Sequence, residues 1–338
     1  MREFIVNKKV IISAILILIL FLAPCSVLIL LYLDRGLEQE IQPANFTCLK
    51  PDQGYFSQQN IEYNNIYGIG LAYAKHINET ASDFDADLDP PVFRKQTSST
   101  TKCNSRVTIP THNELLMAVE SLEPGIGEIL EDKEITLLPL LDYEAELAFV
   151  LLESITAKEL ENPSFIPKVG FLVANDLSAR SIAILGEDQG NRYDYWGVSK
   201  SYPGFSPVSD RLWVPNTHVA NAIPCINLQT YVDGKLRQNE NTRNLIYTPT
   251  DMLRFIHKKY PAELMSKGDI VLTGTPSGVI LNVPRWKARL AKIIGLDRFQ
   301  KLAINQKEST AKKFIKVGST VDISAEWLGD VSVIFVDP

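Results

Sequence analysis

Between Val10 and Leu33 run 24 consecutive positions without a charged residue, nearly all Ile, Leu, Val, Ala or Phe. At about 1.5 Å per residue, a helix of that length crosses the roughly 30 Å hydrocarbon layer of a membrane. The run exceeds the apolar core of a cleavable signal peptide, which is about 7 to 15 residues, and no small-x-small cleavage site follows it. Leu22-Ala23-Pro24-Cys25 faintly resembles a lipidation box, yet the chain stays apolar through Leu31 where a lipidated protein turns polar. The expectation is one transmembrane helix over residues 10–33, after a short basic N-terminus over 1–9. Arg2, Lys8 and Lys9 precede it while Asp34, Glu38 and Glu40 follow. That cation excess predicts a single-pass membrane protein with a cytoplasmic N-terminus and the bulk of the chain outside the cytoplasm.

Beyond that run the chain has the composition of a folded globular protein, 45% hydrophobic and 22% charged over 338 residues, enough to bury a core without staples. A net charge of -6 argues against a nucleic-acid partner, because phosphates are met by surplus Lys and Arg. The four cysteines, Cys25, Cys48, Cys103 and Cys225, show no C-x-x-C spacing. With Cys25 in the apolar run three remain, which excludes a zinc ribbon and a complete disulfide framework.

Residues 34–60 are polar, aperiodic and carry Pro43, Pro51 and Gly54, so they read as a linker. From residue 61 to 338, short apolar runs bounded by Gly, Pro and Asn predict strands near 67–72, 147–152, 169–174, 226–232, 270–273 and 331–336. Helices are fewer. One is predicted over 112–122 and one over 249–260, the latter with Thr248 as N-cap and Pro249 at its first position. The fold class is a β-rich α+β domain. Regular β-α alternation, a G-x-G-x-x-G and a P-loop are all missing, so nucleotide binding has no support.

Glu144 and Glu146 stand two apart in the strand-like run Tyr143 to Val150, which places both on one face. That pair is either an exposed polar face or part of a metal site. Asp176, closing the strand that ends Val173-Ala174-Asn175, makes a third strand-end carboxylate, and three of these form a hard-oxygen site for Mg²⁺, Mn²⁺ or Ca²⁺. His76 and Glu79 are three apart and meet on one helical turn, where the carboxylate can orient an imidazole base. Lys200 is a candidate for stabilising an enolate, and the turn at Gly274-Thr275 for offering N–H and hydroxyl donors to an anion.

Taken in order, these residues resemble the fumarylacetoacetate hydrolase family. The resemblance rests on Gly70-x-x-Tyr73-x-x-His76-x-x-Glu79, Glu144-x-Glu146, Asn175-Asp176-x-Ser178-Ala179-Arg180, Lys200-Ser201, Gly234-Lys235-Leu236-Arg237-Gln238 and Leu272-Thr273-Gly274-Thr275-Pro276-x-Gly278-Val279. It implies a mixed β-sandwich roll, often a homodimer, with Glu144, Glu146 and Asp176 binding Mg²⁺ or Mn²⁺. It implies His76 and Glu79 as the water-activating dyad, Lys200 as a catalytic residue that contacts the substrate, and Tyr73, Arg180, Gly274 and Thr275 as further substrate contacts. The implied activity is hydrolysis of a carbon-carbon bond in an acylpyruvate-like or other 2-oxo acid. Decarboxylation or tautomerisation of an oxaloacetate-type acid on the same site is the alternative, as is a non-catalytic, membrane-attached carboxylate-binding relative.

Ala72, Ser181 and Ala183 depart from the family pattern at positions bearing on the substrate. Extra sequence lies between Lys95 and Leu141 and again over about 284–316. The second insertion carries ten Lys or Arg against Asp297 and Glu308, a net of +8. Trp286, Leu290 and Ile293 or Ile294 recur there at helical spacing. Such a segment either lies on anionic lipid or packs as an amphipathic helix on the domain.

Overall fold

The computed structural model describes residues 41–57, 62–80, 88–263, 265–283, 285–309 and 314–338. Every residue of the strands Ala145–Leu151 and Val169–Asn175 is buried, the pattern of strands covered on both faces. They pair antiparallel within a nine-stranded mixed sheet. Its main path runs Gly54–Ser57, Leu212–Pro215, Val169–Asn175, Ala145–Leu151, Ile270–Leu272, Ile66–Ile69 and Val92–Lys95, with Ser206–Val208 and Thr100–Lys102 joined beside it. Ile270–Leu272 is parallel to Ile66–Ile69 and antiparallel to Ala145–Leu151.

A second sheet follows a different rule. In Asn227–Val232, Thr320–Ser324 and Asp330–Val336 every second residue is buried, so one face meets the core and the other looks outward. These strands are flanked by Lys235–Asn241 and Ser105–Thr108 to make five. Leu147, Phe149, Phe171 and Trp213 of the large sheet share a core with Leu228, Ile323 and Val331 of the small one. Ala148, Val150, Leu172 and Leu212 cluster with Ile66 and Ile270 on the opposite side. The result is the expected β-rich α+β sandwich.

The two long predicted helices form where their caps dictate. His112–Glu120 begins at a capping box of Thr111 and Glu114, and Pro249–Lys259 at one of Thr248 and Asp251 with Pro249 in the first turn. The basic insertion forms two helices, Arg285–Ile293 and Arg298–Lys307. The second is anchored by buried Phe299 and Leu302 and by Arg298, which pairs with Glu123. Leu290, Ile293 and Ile294 are exposed.

Three expectations change. Among the described residues no helix is long and apolar enough to cross a membrane, and residues 10–33, to which the span was assigned, lie outside them. The single-pass localisation with an extracytoplasmic catalytic domain is therefore corrected: the described residues give it no spanning helix. The supposed linker is also part of the fold where it is described. Thr47–Leu49 pairs parallel with Ala222–Pro224, and Gly54–Ser57 pairs antiparallel with Leu212–Pro215. Finally, Cys48 and Cys225 form a disulfide. The cysteine count excludes a framework, but a single bridge between residues 177 apart needs only two strands that meet.

Candidate active site

Strand register assembles the acidic cluster. Glu146 faces Ala174 and Ala145 faces Asn175 in the antiparallel pair. Just beyond, the Asp176 amide donates to the Glu144 carbonyl at 2.8 Å. Even-numbered residues of both strands therefore share one face. Ala148, Val150, Leu172 and Ala174 make that face apolar, and Glu144, Glu146 and Asp176 end it in carboxylates. All three are buried and offer oxygens within 4.8 Å of one another.

Buried like charges need cations. Lys200, the C-cap of helix Arg192–Ser199, donates from Nζ to Glu144 Oε2 and Asp176 Oδ2, each at 2.6 Å, and to Ser178 Oγ at 2.7 Å. Lys95 Nζ donates to Asp176 Oδ1 at 2.5 Å and to the Phe205 carbonyl at 2.9 Å. Arg180 donates through Nη2 to Glu144 and through Nε to Asp142 Oδ2 at 2.9 Å. Burial works against the charge on Glu144, but Arg180 and Lys200 outweigh it and hold the carboxyl down at about 2. Burial likewise opposes the Lys200 charge, yet Asp176 and Glu144 raise its pKa. At Lys95 burial prevails over Asp176 and lowers the pKa.

Glu146 differs from its neighbours, because its partner among the described residues is the Gly274 amide, at 2.7 Å, and no cation bonds to it. Burial, then Asp176 and Glu144, push its carboxyl well above the usual range. Four buried carboxylates, Asp142, Glu144, Glu146 and Asp176, thus face the three cations Lys95, Arg180 and Lys200. Glu146 is the carboxyl left without a cation among the described residues, and its surroundings favour its neutral form until a cation binds. A divalent cation fits a carboxyl so placed, and oxygen donors without His or Cys suit Mg²⁺, Mn²⁺ or Ca²⁺. The buried Tyr73 hydroxyl has no hydrogen-bond partner among the described residues, and burial followed by the charges of Glu146 and Glu240 raises its pKa. An orphaned polar atom beside the cluster is what a site built for a polar occupant leaves behind.

The dyad forms on the short helix Ala74–Glu79, where His76 Nδ1 lies 3.1 Å from Glu79 Oε1. His76 is near enough to Glu144 to favour its ionised form. The Gly278 amide donates to both Glu79 oxygens. The turn before it is more occupied than the sequence suggests. The Gly274 amide holds Glu146, while Thr275 Oγ1 donates to the Ala145 carbonyl at 3.2 Å and accepts from Gln238 Nε2 at 2.9 Å. All three Lys200 donors are likewise engaged inside the cluster.

Lys95, Asp142 and Gln238 belong to this constellation and sequence reasoning missed their roles. For Asp142 a signal existed in the sequence, since it precedes Glu144 by two, the spacing that puts residues of one strand on one face. Lys95 offered only its place at the end of the strand Val92–Lys95.

The model of the fumarylacetoacetate (FAA) hydrolase C-terminal family matches residues 65–335. Oxaloacetate tautomerase YisK of Bacillus subtilis is 26% identical over 268 residues, 79% of this chain and 68% of that protein. A Burkholderia lata protein named as a hydrolase is 27% identical over 217 residues, 64% of this chain and 63% of that one. Fumarylpyruvate hydrolase from Pseudomonas aeruginosa, solved in complex with Mn²⁺ and pyruvate, superposes with a TM-score of 0.55 at 18% identity, covering 89% of this chain and 99% of that one. At that identity the likeness is one of fold.

Proposed function

Since the chain belongs to the fumarylacetoacetate hydrolase family, we propose that it is a metal-dependent hydrolase cleaving a carbon-carbon bond in an acylpyruvate-like or other 2-oxo acid. The observation that carries this reading is the meeting of a His-Glu dyad with a buried acidic cluster in which Glu146 has no cation partner among the described residues. Glu144, Glu146 and Asp176 would hold Mg²⁺ or Mn²⁺, and Ca²⁺ fits the same oxygens. Such an ion supplies Lewis acidity toward the carboxylate and oxo oxygens of the substrate.

The residues of the chain do the rest. Glu79 engages Nδ1 of His76 and leaves Nε2 to take a proton from water. That water attacks the carbonyl distal to the 2-oxo acid, the carbon-carbon bond breaks, and the electron pair leaves as an enolate. The positive charges of Lys200 and Arg180 favour that enolate, and Nε2 returns its proton to the departing carbon. Neither the Tyr73 hydroxyl nor Arg180 Nη1 has a partner among the described residues, which leaves both to bond the substrate.

A second reading, tautomerisation or decarboxylation of an oxaloacetate-type acid, is favoured by the likeness to the tautomerase. It uses the same enolate without the water step. Products separate the two. The protein is incubated with Mg²⁺ or Mn²⁺ and a panel of acylpyruvates and oxaloacetate, beside a His76→Ala variant. Hydrolysis predicts pyruvate plus a second acid from acylpyruvates, and a loss of about 10² to 10⁴-fold in the variant. Turnover of oxaloacetate alone, with acylpyruvates untouched, would replace the first reading by the second. Binding of the acids without any turnover would leave a non-catalytic relative.

A further inference from the structure

Asp142 is fully buried and takes no part in the chemistry above. Its carboxylate nevertheless accepts four hydrogen bonds. Oδ1 receives the amides of Tyr143 and Ile280, each at 2.9 Å, and Oδ2 receives Arg180 Nε at 2.9 Å and the Leu281 amide at 3.1 Å. Those bonds use the acceptor capacity of a carboxylate in full. Next to it, the Tyr143 hydroxyl donates to the Gly278 carbonyl at 3.0 Å. The other side of the same turn grips the dyad: the Gly278 amide bonds both Glu79 oxygens, and Asn282 Nδ2 approaches Glu79 Oε2 at 3.4 Å. The guanidinium that Asp142 holds also bonds Glu144. One carboxylate therefore ties the acidic cluster to the turn that aims Glu79.

We propose that Asp142 is a positioning residue that sets the 278–282 turn, and through it the Glu79 carboxylate, in register with Arg180 and the acidic cluster. This rests on the role given to His76 and Glu79 above. A residue that only neutralised Arg180 would have no need of the Ile280 and Leu281 amides. Proton transfer at His76 depends on where Glu79 holds the ring, and an error of about 1 Å in such geometry costs on the order of 10²-fold.

The test is Asp142→Asn in the full chain, which keeps the side chain's size and removes one acceptor oxygen and the charge. Residue-resolved amide hydrogen exchange should accelerate about tenfold or more at Gly278 together with Ile280 and Leu281, although the acceptor of Gly278, Glu79, is untouched. For whichever 2-oxo acid the wild type turns over, kcat should fall by about 10 to 100-fold with KM nearly constant. In a His76→Ala background the added loss should shrink to less than about threefold, as expected when both act through one step. Unchanged exchange at Gly278, or a full multiplicative loss in the double variant, would overturn the proposal. A rate indifferent to His76→Ala would instead sink the dyad reading, while the exchange measurement would still decide what Asp142 does. If Asp142→Asn fails to fold, Tyr143→Phe removes only the bond to the Gly278 carbonyl and should move exchange and kcat the same way by a smaller factor.

Discussion

The Gly278 amide donates to both carboxylate oxygens of Glu79, at 2.9 and 3.0 Å. It does so from a backbone at φ +104°, and a Cβ there would stand 2.3 Å from the Arg237 carbonyl. Glycine alone meets both conditions.

Gly278→Ala should therefore cost about 1 to 3 kcal/mol in stability. It should lower kcat more than it raises KM, because the turn must shift away from Glu79. Urea denaturation and steady-state kinetics check this. Wild-type behaviour in both would mean that the turn does not aim the dyad.

Glu146 is the carboxyl of the cluster that no cation bonds among the described residues, so Glu146→Gln should have opposite effects in two measurements. Without divalent ions the variant should melt at or above the wild-type temperature, since a buried carboxylate lacking a cation is costly. With Mn²⁺, calorimetric titration should show binding weakened about tenfold or more, and the thermal shift that ligation gives the wild type should be lost. Equal Mn²⁺ affinity in the two proteins would move the ion elsewhere.

The pair that anchors the basic insertion sets a pH dependence. Arg298 Nη1 and Nη2 donate to Glu123 Oε2 and Oε1 at 2.6 and 2.5 Å, and the Tyr195 hydroxyl donates to Oε2 at 2.7 Å. The Arg298 hydrogen bond holds the Glu123 carboxyl below its usual range, against burial. A folded pKa below the unfolded one gives stability that is present above the unfolded value, about 4.3, and lost as pH falls through the depressed folded value. Glu123→Gln should thus cost about 1 kcal/mol at pH 7 and progressively less as pH falls below about 4. Denaturant midpoints at the two pH values give the answer, and a cost independent of pH would assign the effect to packing.

The Cys48–Cys225 bridge closes a loop of 177 residues. Replacing both by Ser should destabilise the domain by about 2 to 5 kcal/mol, and a thiol reductant should lower the wild-type melting temperature but not that of the double variant. A reductant effect that survives in the double variant would have to come from another bond.

Much of the site could be read from alternation. Glu144 and Glu146 land on one face because a strand has period two, and Asp176 joins them because the register of the neighbouring strand matches parity. The same spacing extends to Asp142, which went unread because a carboxylate followed by two more reads as a polar face until Arg180 and the Ile280 amide are placed against it. Lys95 was illegible for another reason. Its partner Asp176 is 81 positions away, and nothing local in Val92-Phe93-Arg94-Lys95 says which cation turns inward. The helices at His112 and Pro249 were legible because their caps are local. The segment holding Cys48 was not, since polar residues with Pro and Gly describe a tether and an edge strand equally well until the partner strands Ala222–Pro224 and Leu212–Pro215 are known.

Helix Arg192–Ser199 lies so close to the strand Val92–Lys95 that a Cβ on Gly197 would come within 2.3 Å of the Arg94 carbonyl. Lys95 ends that strand and Lys200 caps that helix, and the two ammonium groups bond opposite oxygens of Asp176. The gap between two like charges is therefore a packing quantity, fixed by bare backbone meeting a carbonyl. Electrostatic tuning of this centre can drift through substitutions that alter no charge, and a family member could retain every ionisable residue yet differ in how strongly it draws an anion.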